Sequence, residues 1–401
     1  MSPDFDHRLR AMAEVIVRIG LNLQPGQPLL ITDPYELQGV HPDAFALAEA
    51  VRSAANSATV LLTANPGQLR ALVEAEDTRA LDLLFSQHIA QLHRHLAAGG
   101  AFLFLTGSAP RLFEGIHPVH IAKFEQLKWR HLGPLIQQLI RGATQWSLAP
   151  APTTAWADVT YADLPAVQRL PALWRMVFDS FRIPGWNLTS GQAENAPDNH
   201  APLLQTWRAH LASLALRCNG LNAAHHRHIR YVGTGTDLTL DLPRLHVWCT
   251  AQLTSKSGLP FVVNLPTEEV FTAPHRNSAQ GRVRVIHSVV HAGTVIDGIT
   301  LEFAGGKVVA AHAETGRELL QQLLATDDGA RRLGEVAIVP NRNALSLAGR
   351  CFHHIILDEN TTNHIALGDA YRFCSRAWLP VSLNSSQIHV DLPLDARVEL
   401  S

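Results

Sequence analysis

Cysteine is scarce in this chain of 401 residues: Cys218, Cys249, Cys351 and Cys374 are all it has, and no two lie close in sequence. That spacing gives neither the disulfide framework of a small secreted domain nor a zinc-finger pattern. Free thiols in a reducing cytoplasm are the plain expectation. Charge of either sign is also missing in excess. Thirty-three Lys and Arg stand against 35 Asp and Glu, for a formal net charge of -2. Without a basic surplus there is no electrostatic footprint for a phosphate backbone, so nucleic acid is not an expected partner. No stretch of about 18 uncharged apolar residues occurs, so no membrane-spanning helix is expected. The opening MSPDFDHRLRAMAEVIVRIG carries acids and an amphipathic pattern rather than a basic flank and a continuous apolar run, and does not read as a signal peptide. Internal repeats and low-complexity segments are absent as well.

What is present is a chain long enough for two domains and a large core, with 46% apolar and 17% charged residues. In the first half, helical periodicity alternates with short apolar runs. Helices are predicted at His7–Ile19, Ala44–Ala55, Arg79–Ala97 and His117–Arg141, with strands at Pro28–Thr32, Ala58–Leu62, Ala101–Leu105 and Ala143–Leu148. Strands separated by helices of this length argue for parallel βαβ units. Residues 150–222 read as helical pieces, Pro165–Phe181 and Pro202–Asn219, with a polar loop at Ser190–His200.

After about residue 223 the texture changes to alternating, half-buried antiparallel strands: His228–Val232, Asp237–Leu242, Arg282–Val290, Thr300–Phe303 and Val308–His312. Gly305-Gly306 marks a tight turn. Thr315-Gly-Arg-Glu318 fits a capping box. The expected architecture is α/β: an N-terminal α/β domain over 1–222, with a mainly parallel sheet flanked by helices. A β-rich α+β domain over 223–401 follows.

The second half also holds a scattered set of acids and imidazoles. Ile388-His-Val-Asp-Leu392 has period two, so His389 and Asp391 share one strand face. Glu335 enters the apolar strand Val336–Val339. Glu268-Glu269 precedes Val270-Phe271, and burial of those two drags at least one acid inward, where it needs a partner. In Asp358–Tyr371, Glu359 and His364 lie five residues apart and would not share a helix face. A turn at Asp358–Thr362 capping a helix that starts near Asn363 would let them converge. His353-His354 reads as part of a strand, Phe352–Leu357. Each cluster alone is equally at home on a solvated face. Together Glu269, Glu335, Glu359, Asp391, His364 and His389 make four carboxylates and two imidazoles, enough to balance and ligate two divalent cations of the zinc, cobalt or manganese kind.

At these residues the chain resembles the thermophilic-type aminopeptidases of peptidase family M29. The resemblance rests on Asn264-Leu-Pro-Thr-Glu-Glu-Val-Phe-Thr-Ala-Pro-His275 and on Gly334-Glu335-Val336. It extends to Asp358-Glu359-Asn360 with His364-Ile-Ala-Leu-Gly368 and Ala370-Tyr371, to His389-Val-Asp391, and to Gly235-Thr-Asp-Leu238. It implies a cocatalytic metalloaminopeptidase, a hydrolase of the EC 3.4.11 type. Two divalent ions per chain, zinc first and otherwise cobalt, manganese or magnesium, would sit on Glu269, Glu335, Glu359, His364, His389 and Asp391 in the C-terminal domain. It also implies a homodimer and a peptide or aminoacyl-amide substrate. Glu268 is the candidate general base or else a salt-bridged neighbour of the ligands. Tyr371 is the candidate donor to the oxyanion or else a core tyrosine. His275 and Arg276 would bind substrate or cap a turn. The segment Arg372–Gln387 is shorter than the family's usual, and Asp33–Ala44 and Ser57-Ala58 also depart from it. The alternatives are an amide hydrolase for one specialised metabolite, a single-iron ring-opening dioxygenase on the same scaffold, and a non-catalytic scaffold protein.

Overall fold

Ala101–Thr106 and Leu29–Thr32 are buried at every position, as strands covered on both faces must be. In the computed structural model they form the centre of a four-stranded sheet in the order Thr59–Val60, Leu29–Thr32, Ala101–Thr106, Trp146–Pro150, parallel throughout. The structure describes residues 3–35, 39–61, 66–107, 109–183, 199–340, 342–378 and 381–401. Helices Thr78–Ala97 and Pro118–Ile140 supply Ile89, Leu92, Leu132, Leu135 and Leu139 to a core built on Phe102, Phe104 and Trp146. Asp77 caps the first of these helices, its carboxylate accepting the Ala80 N–H at 3.0 Å. Helices Pro66–Glu74 and Thr154–Thr160 were not expected from periodicity; both are under ten residues, too short to show a clear apolar stripe. The expected loop at Ser190–His200 lies outside the described residues except at its last two positions.

The chain forms two compact units. The first comprises Met1–Leu112, Lys123–Ala212 and Ala251–Pro266, and the second Phe113–Ala122, Ser213–Thr250 and Thr267–Ser401. Relative to a single cut near residue 222, the short hairpin Gln252–Thr254/Pro260–Val262 therefore clusters with the first unit, where Phe261 joins the core.

Among the described residues the second unit holds two larger antiparallel sheets and the two-stranded hairpin Val289–His291/Thr294–Ile296. Six strands run in the order Lys307–His312, Thr300–Ala304, Gln280–Arg284, Thr236–Asp241, His228–Gly233, Ala396–Leu400. Four more run in the order His389–Pro393, His364–Gly368, Leu333–Ile338, Val270–Thr272. This is the parallel-then-antiparallel α/β architecture expected from the sequence.

Four local expectations fail, each for an identifiable reason. The single strand Arg282–Val290 is two, Gln280–Arg284 and Val289–His291, which belong to different sheets. No capping box forms at Thr315: its backbone bridges to Asp297, and helix Arg317–Leu324 instead starts from Gly316 at φ +72. Phe352–Leu357 is not a strand. The Asp358 carboxylate accepts the Phe352 N–H at 2.6 Å and the His354 N–H at 2.9 Å, folding that segment back so that Ile355–Glu359 is a short helix. No helix starts near Asn363. Its side chain accepts the Val339 N–H and its backbone carbonyl the Leu394 N–H, which fastens the next residues between two strands as His364–Gly368.

Candidate metal centre

Register decides what the four-stranded sheet presents. Glu335 pairs with Ala366, and Ala366 pairs with Asp391, so these three residues form one row. Residues directly opposite in an antiparallel pair project to one face, as do residues two apart along a strand. His364 precedes Ala366 by two and His389 precedes Asp391 by two, so all four polar side chains occupy the same face. Gly368 ends the middle strand at φ +104, and a Cβ there would lie 2.0 Å from the Ile388 carbonyl oxygen. Only glycine allows the His389 strand to come this close. Glu269 enters from just before Val270–Thr272, and Glu359 from the last residue of helix Ile355–Glu359.

The side chains converge. His364 Nε2 lies 3.1 Å from Glu269 Oε2, 3.5 Å from Glu335 Oε1 and 3.9 Å from Asp391 Oδ1. His389 Nε2 lies 3.4 Å from Asp391 Oδ1 and 3.7 Å from Glu335 Oε2. Glu269, Glu335 and His364 each offer a ligand atom within 4.8 Å of the others, and so do Glu335, His389 and Asp391. Glu335 belongs to both sets. His364 and the four carboxylates are buried, whereas the His389 side chain keeps 23% of its surface exposed and marks the open side.

Both imidazoles turn Nδ1 towards a backbone carbonyl. His389 Nδ1 faces the Asp369 carbonyl oxygen at 2.9 Å, and a carbonyl can only accept. Nδ1 therefore carries a proton, and Nε2 is the ring nitrogen that faces Glu335 and Asp391. His364 Nδ1 faces the Thr362 carbonyl in the same way, at 3.5 Å.

Electrostatically the cluster is costly as it stands. Burial, partly relieved by His364 and reinforced by the Glu269 carboxylate, pushes Glu335 up to about 7. Burial, then the charges of Glu269 and Asp391, holds Glu359 well above the usual carboxylate range. Burial opposes protonation of His389, but Asp391 outweighs it and raises the imidazole to about 10. Asp391, despite burial, is lowered by His389. Among the described residues the ion-pair partners of Glu269, Glu335 and Asp391 are these imidazoles, with no lysine or arginine. Glu269 Oε2 and His364 Nε2 are buried, and neither makes a hydrogen bond despite their proximity. Two buried atoms without a hydrogen-bond partner, in a cluster of carboxylates and imidazoles whose like charges raise one another, fit a divalent cation of the zinc, cobalt or manganese kind, which would hold the carboxylates charged and take the imidazoles as neutral ligands.

The remaining expected residues sit around this cluster. Tyr371 has its ring 5.1 Å from that of His389 and stacks on Phe373 at 5.2 Å. Glu268 is buried, and its N–H donates to Asn360 Oδ1 at 2.6 Å. His275 and Arg276 lie in a turn: the Asn277 N–H donates to His275 Nδ1, and Arg276 approaches Asp328 at 3.7 Å. Sequence reasoning passed over Asn360 and Asn363 as bracing residues. Buried asparagines beside the ligand positions carried the only signal, and polarity alone does not tell a brace from a turn.

A family model described as thermophilic metalloprotease (M29) matches residues 5–398. "Aminopeptidase T" of Thermus aquaticus is 33% identical over 396 residues, covering 96% of this chain and 92% of that protein. "Aminopeptidase 2" of Geobacillus stearothermophilus is 33% identical over 399 residues, covering 96% and 91%. The solved structure "Wild-type AmpT from Thermus thermophilus" superposes with a TM-score of 0.82 at 31% identity, covering 99% of this chain and 95% of that one. The chain belongs to the thermophilic metalloprotease (M29) family.

Proposed function

We propose that this protein is a metal-dependent aminopeptidase that removes N-terminal residues from peptides at a site holding two divalent ions. The observation that carries the two-ion reading is Glu335, a single buried carboxylate common to two donor sets. Glu269 and His364 would complete one set, and His389 and Asp391 the other, with Glu359 closing the cluster from the helix end. Zinc suits the donors best, and cobalt or manganese would also fit.

Divalent ions held there supply a water of lowered pKa and polarisation of the scissile carbonyl. The chain's own groups do the rest. Glu268, next to Glu269 in sequence and fixed through its N–H, takes the proton of the attacking water and passes it to the leaving amine. Tyr371, beside His389, donates its hydroxyl to the oxygen that gains charge. Burial of the carboxylates keeps bulk water away, which strengthens each of these interactions.

The named activities of the relatives and the family match favour this reading over a specialised amide hydrolase or a ring-opening dioxygenase. We further propose that residues 223–401, most of which fall in the second unit, form the metal-binding catalytic domain. The protein would act as a homodimer in the cytoplasm, where its four free thiols would stay reduced. Among the described residues no helix is long and apolar enough to cross a membrane.

Elemental analysis of the purified protein beside a panel of aminoacyl-anilides tests the proposal, with His364→Ala as comparison. About two zinc, cobalt or manganese per chain with anilide hydrolysis is the expected result, and His364→Ala should lose both metal and activity. Loss of metal with retained hydrolysis, or one iron per chain, would overturn it.

A further inference from the structure

Asn360 is fully buried, and its side-chain amide makes one accepted and two donated hydrogen bonds. Oδ1 accepts the Glu268 N–H at 2.6 Å. Nδ2 donates to the Ile356 carbonyl at 2.8 Å and to Glu359 Oε1 at 3.3 Å. These partners fix the amide's orientation without ambiguity, because a backbone N–H only donates and a carbonyl or carboxylate only accepts. The backbone is held as well: the Asn360 carbonyl accepts from Asn343 Nδ2 at 2.9 Å, and Asn343 itself caps the next helix back through its bond to Ser346. One side chain therefore joins the turn that delivers Glu268 and Glu269 to the helix end that delivers Glu359. Those two segments are about ninety residues apart in sequence and share no strand pairing.

We infer that Asn360 is a positioning residue that orients the Glu359 carboxylate towards the metal cluster and holds the Glu268–Glu269 turn against it. Its amide donates to Glu359 Oε1 and so restrains how that carboxylate is presented to the cluster. This rests on the proposed roles of Glu359 as ligand and Glu268 as base. An aliphatic residue here would remove one donor to Glu359 and the side-chain acceptor of the Glu268 N–H. A carboxylate would keep the acceptor for Glu268 but replace the donor to Glu359 with a like charge. The two kinds of change thus separate the two functions of one side chain.

The test measures zinc affinity of the purified full chain by competition with a chromophoric chelator, alongside kcat and KM at saturating zinc. Asn360→Asp should raise the zinc dissociation constant about 10- to 100-fold, the range typical of lost outer hydrogen bonds to a ligand, while recovering most of its kcat once zinc saturates. Asn360→Ala should raise the dissociation constant similarly and also keep a depressed kcat, because the Glu268 turn is released. A merely structural role would lower the metal-free melting temperature and leave zinc affinity within about threefold of the parent. That result in both variants overturns the inference. Should the buried charge of N360D prevent folding, Asn360→Ser carries the same zinc readout. Glu359→Gln is measured beside them. If it loses zinc while the Asn360 variants do not, only the positioning role falls; if it keeps zinc as well, the assignment of Glu359 as a ligand falls with it.

Discussion

Glu335→Gln should reverse its effect on stability according to whether metal is present. The side chain keeps its shape and loses its charge. In the metal-free chain Glu335 is buried among other acids, and its carboxyl is raised from its ordinary value of 4.5 to about 7. A carboxyl whose folded value lies above its unfolded value binds its proton more tightly when folded. Its contribution is fully present below about pH 4.5 and is lost as pH rises through about 7. At pH 8 the charged form therefore costs the fold about 3 kcal/mol, and at pH 5.5 only about 1 kcal/mol. Glutamine removes that cost, so metal-free E335Q should be more stable than the parent at pH 8, and the gain should shrink at pH 5.5. With zinc the order inverts. A site filled at a thousand times its dissociation constant adds about 4 kcal/mol to the folded state, and Glu335 serves both donor sets. Losing it should remove most of that gain. Urea or thermal unfolding with zinc and with a chelator, at both pH values, reads all four conditions. If E335Q were less stable than the parent without metal, or gained as much from zinc, the view of this cluster as acids held together by cations would be wrong.

Tyr371→Phe should lower kcat about 10- to 1,000-fold with zinc content and KM little changed, as expected for loss of one donor to a developing oxyanion; an unchanged kcat would return Tyr371 to a packing role against Phe373 and His389. In the first unit, burial pushes His88 down to about 4, and its Nε2 has Thr32 Oγ1 3.4 Å away. A histidine lowered on folding costs stability as pH falls from about 6.5 towards 4, by about 2 kcal/mol between pH 7 and pH 5. His88→Gln should abolish that part of the acid sensitivity in urea midpoints, and equal losses in both proteins would refute it.

Much of the architecture was legible because periodicity is a local property. Ala101–Leu105 reads as a buried strand from its unbroken apolar run, and His389-Val-Asp391 places two polar groups on one face from alternation alone. Where the reading failed, a side-chain hydrogen bond to the backbone had decided, local in one case and remote in the other. Asp358 bends the segment before it by accepting two backbone N–H groups. Asn363 is fastened to two strands that lie elsewhere in sequence, so a stretch that could cap a helix becomes the middle of a sheet. Cys249 and Cys374, 125 positions apart, share one apolar cluster that no spacing announces.

By itself the sequence determined the order of parallel and antiparallel halves and the inventory of six acids and imidazoles, since composition and alternation are written residue by residue. Only the tertiary structure decided that the row Glu335–Ala366–Asp391 puts those groups on a common face, that Glu335 belongs to two donor sets, and that Asn360 ties two distant segments together. Strand register and the filling of a buried amide's hydrogen bonds depend on partners brought close by folding, and distance in space cannot be read from distance along the chain.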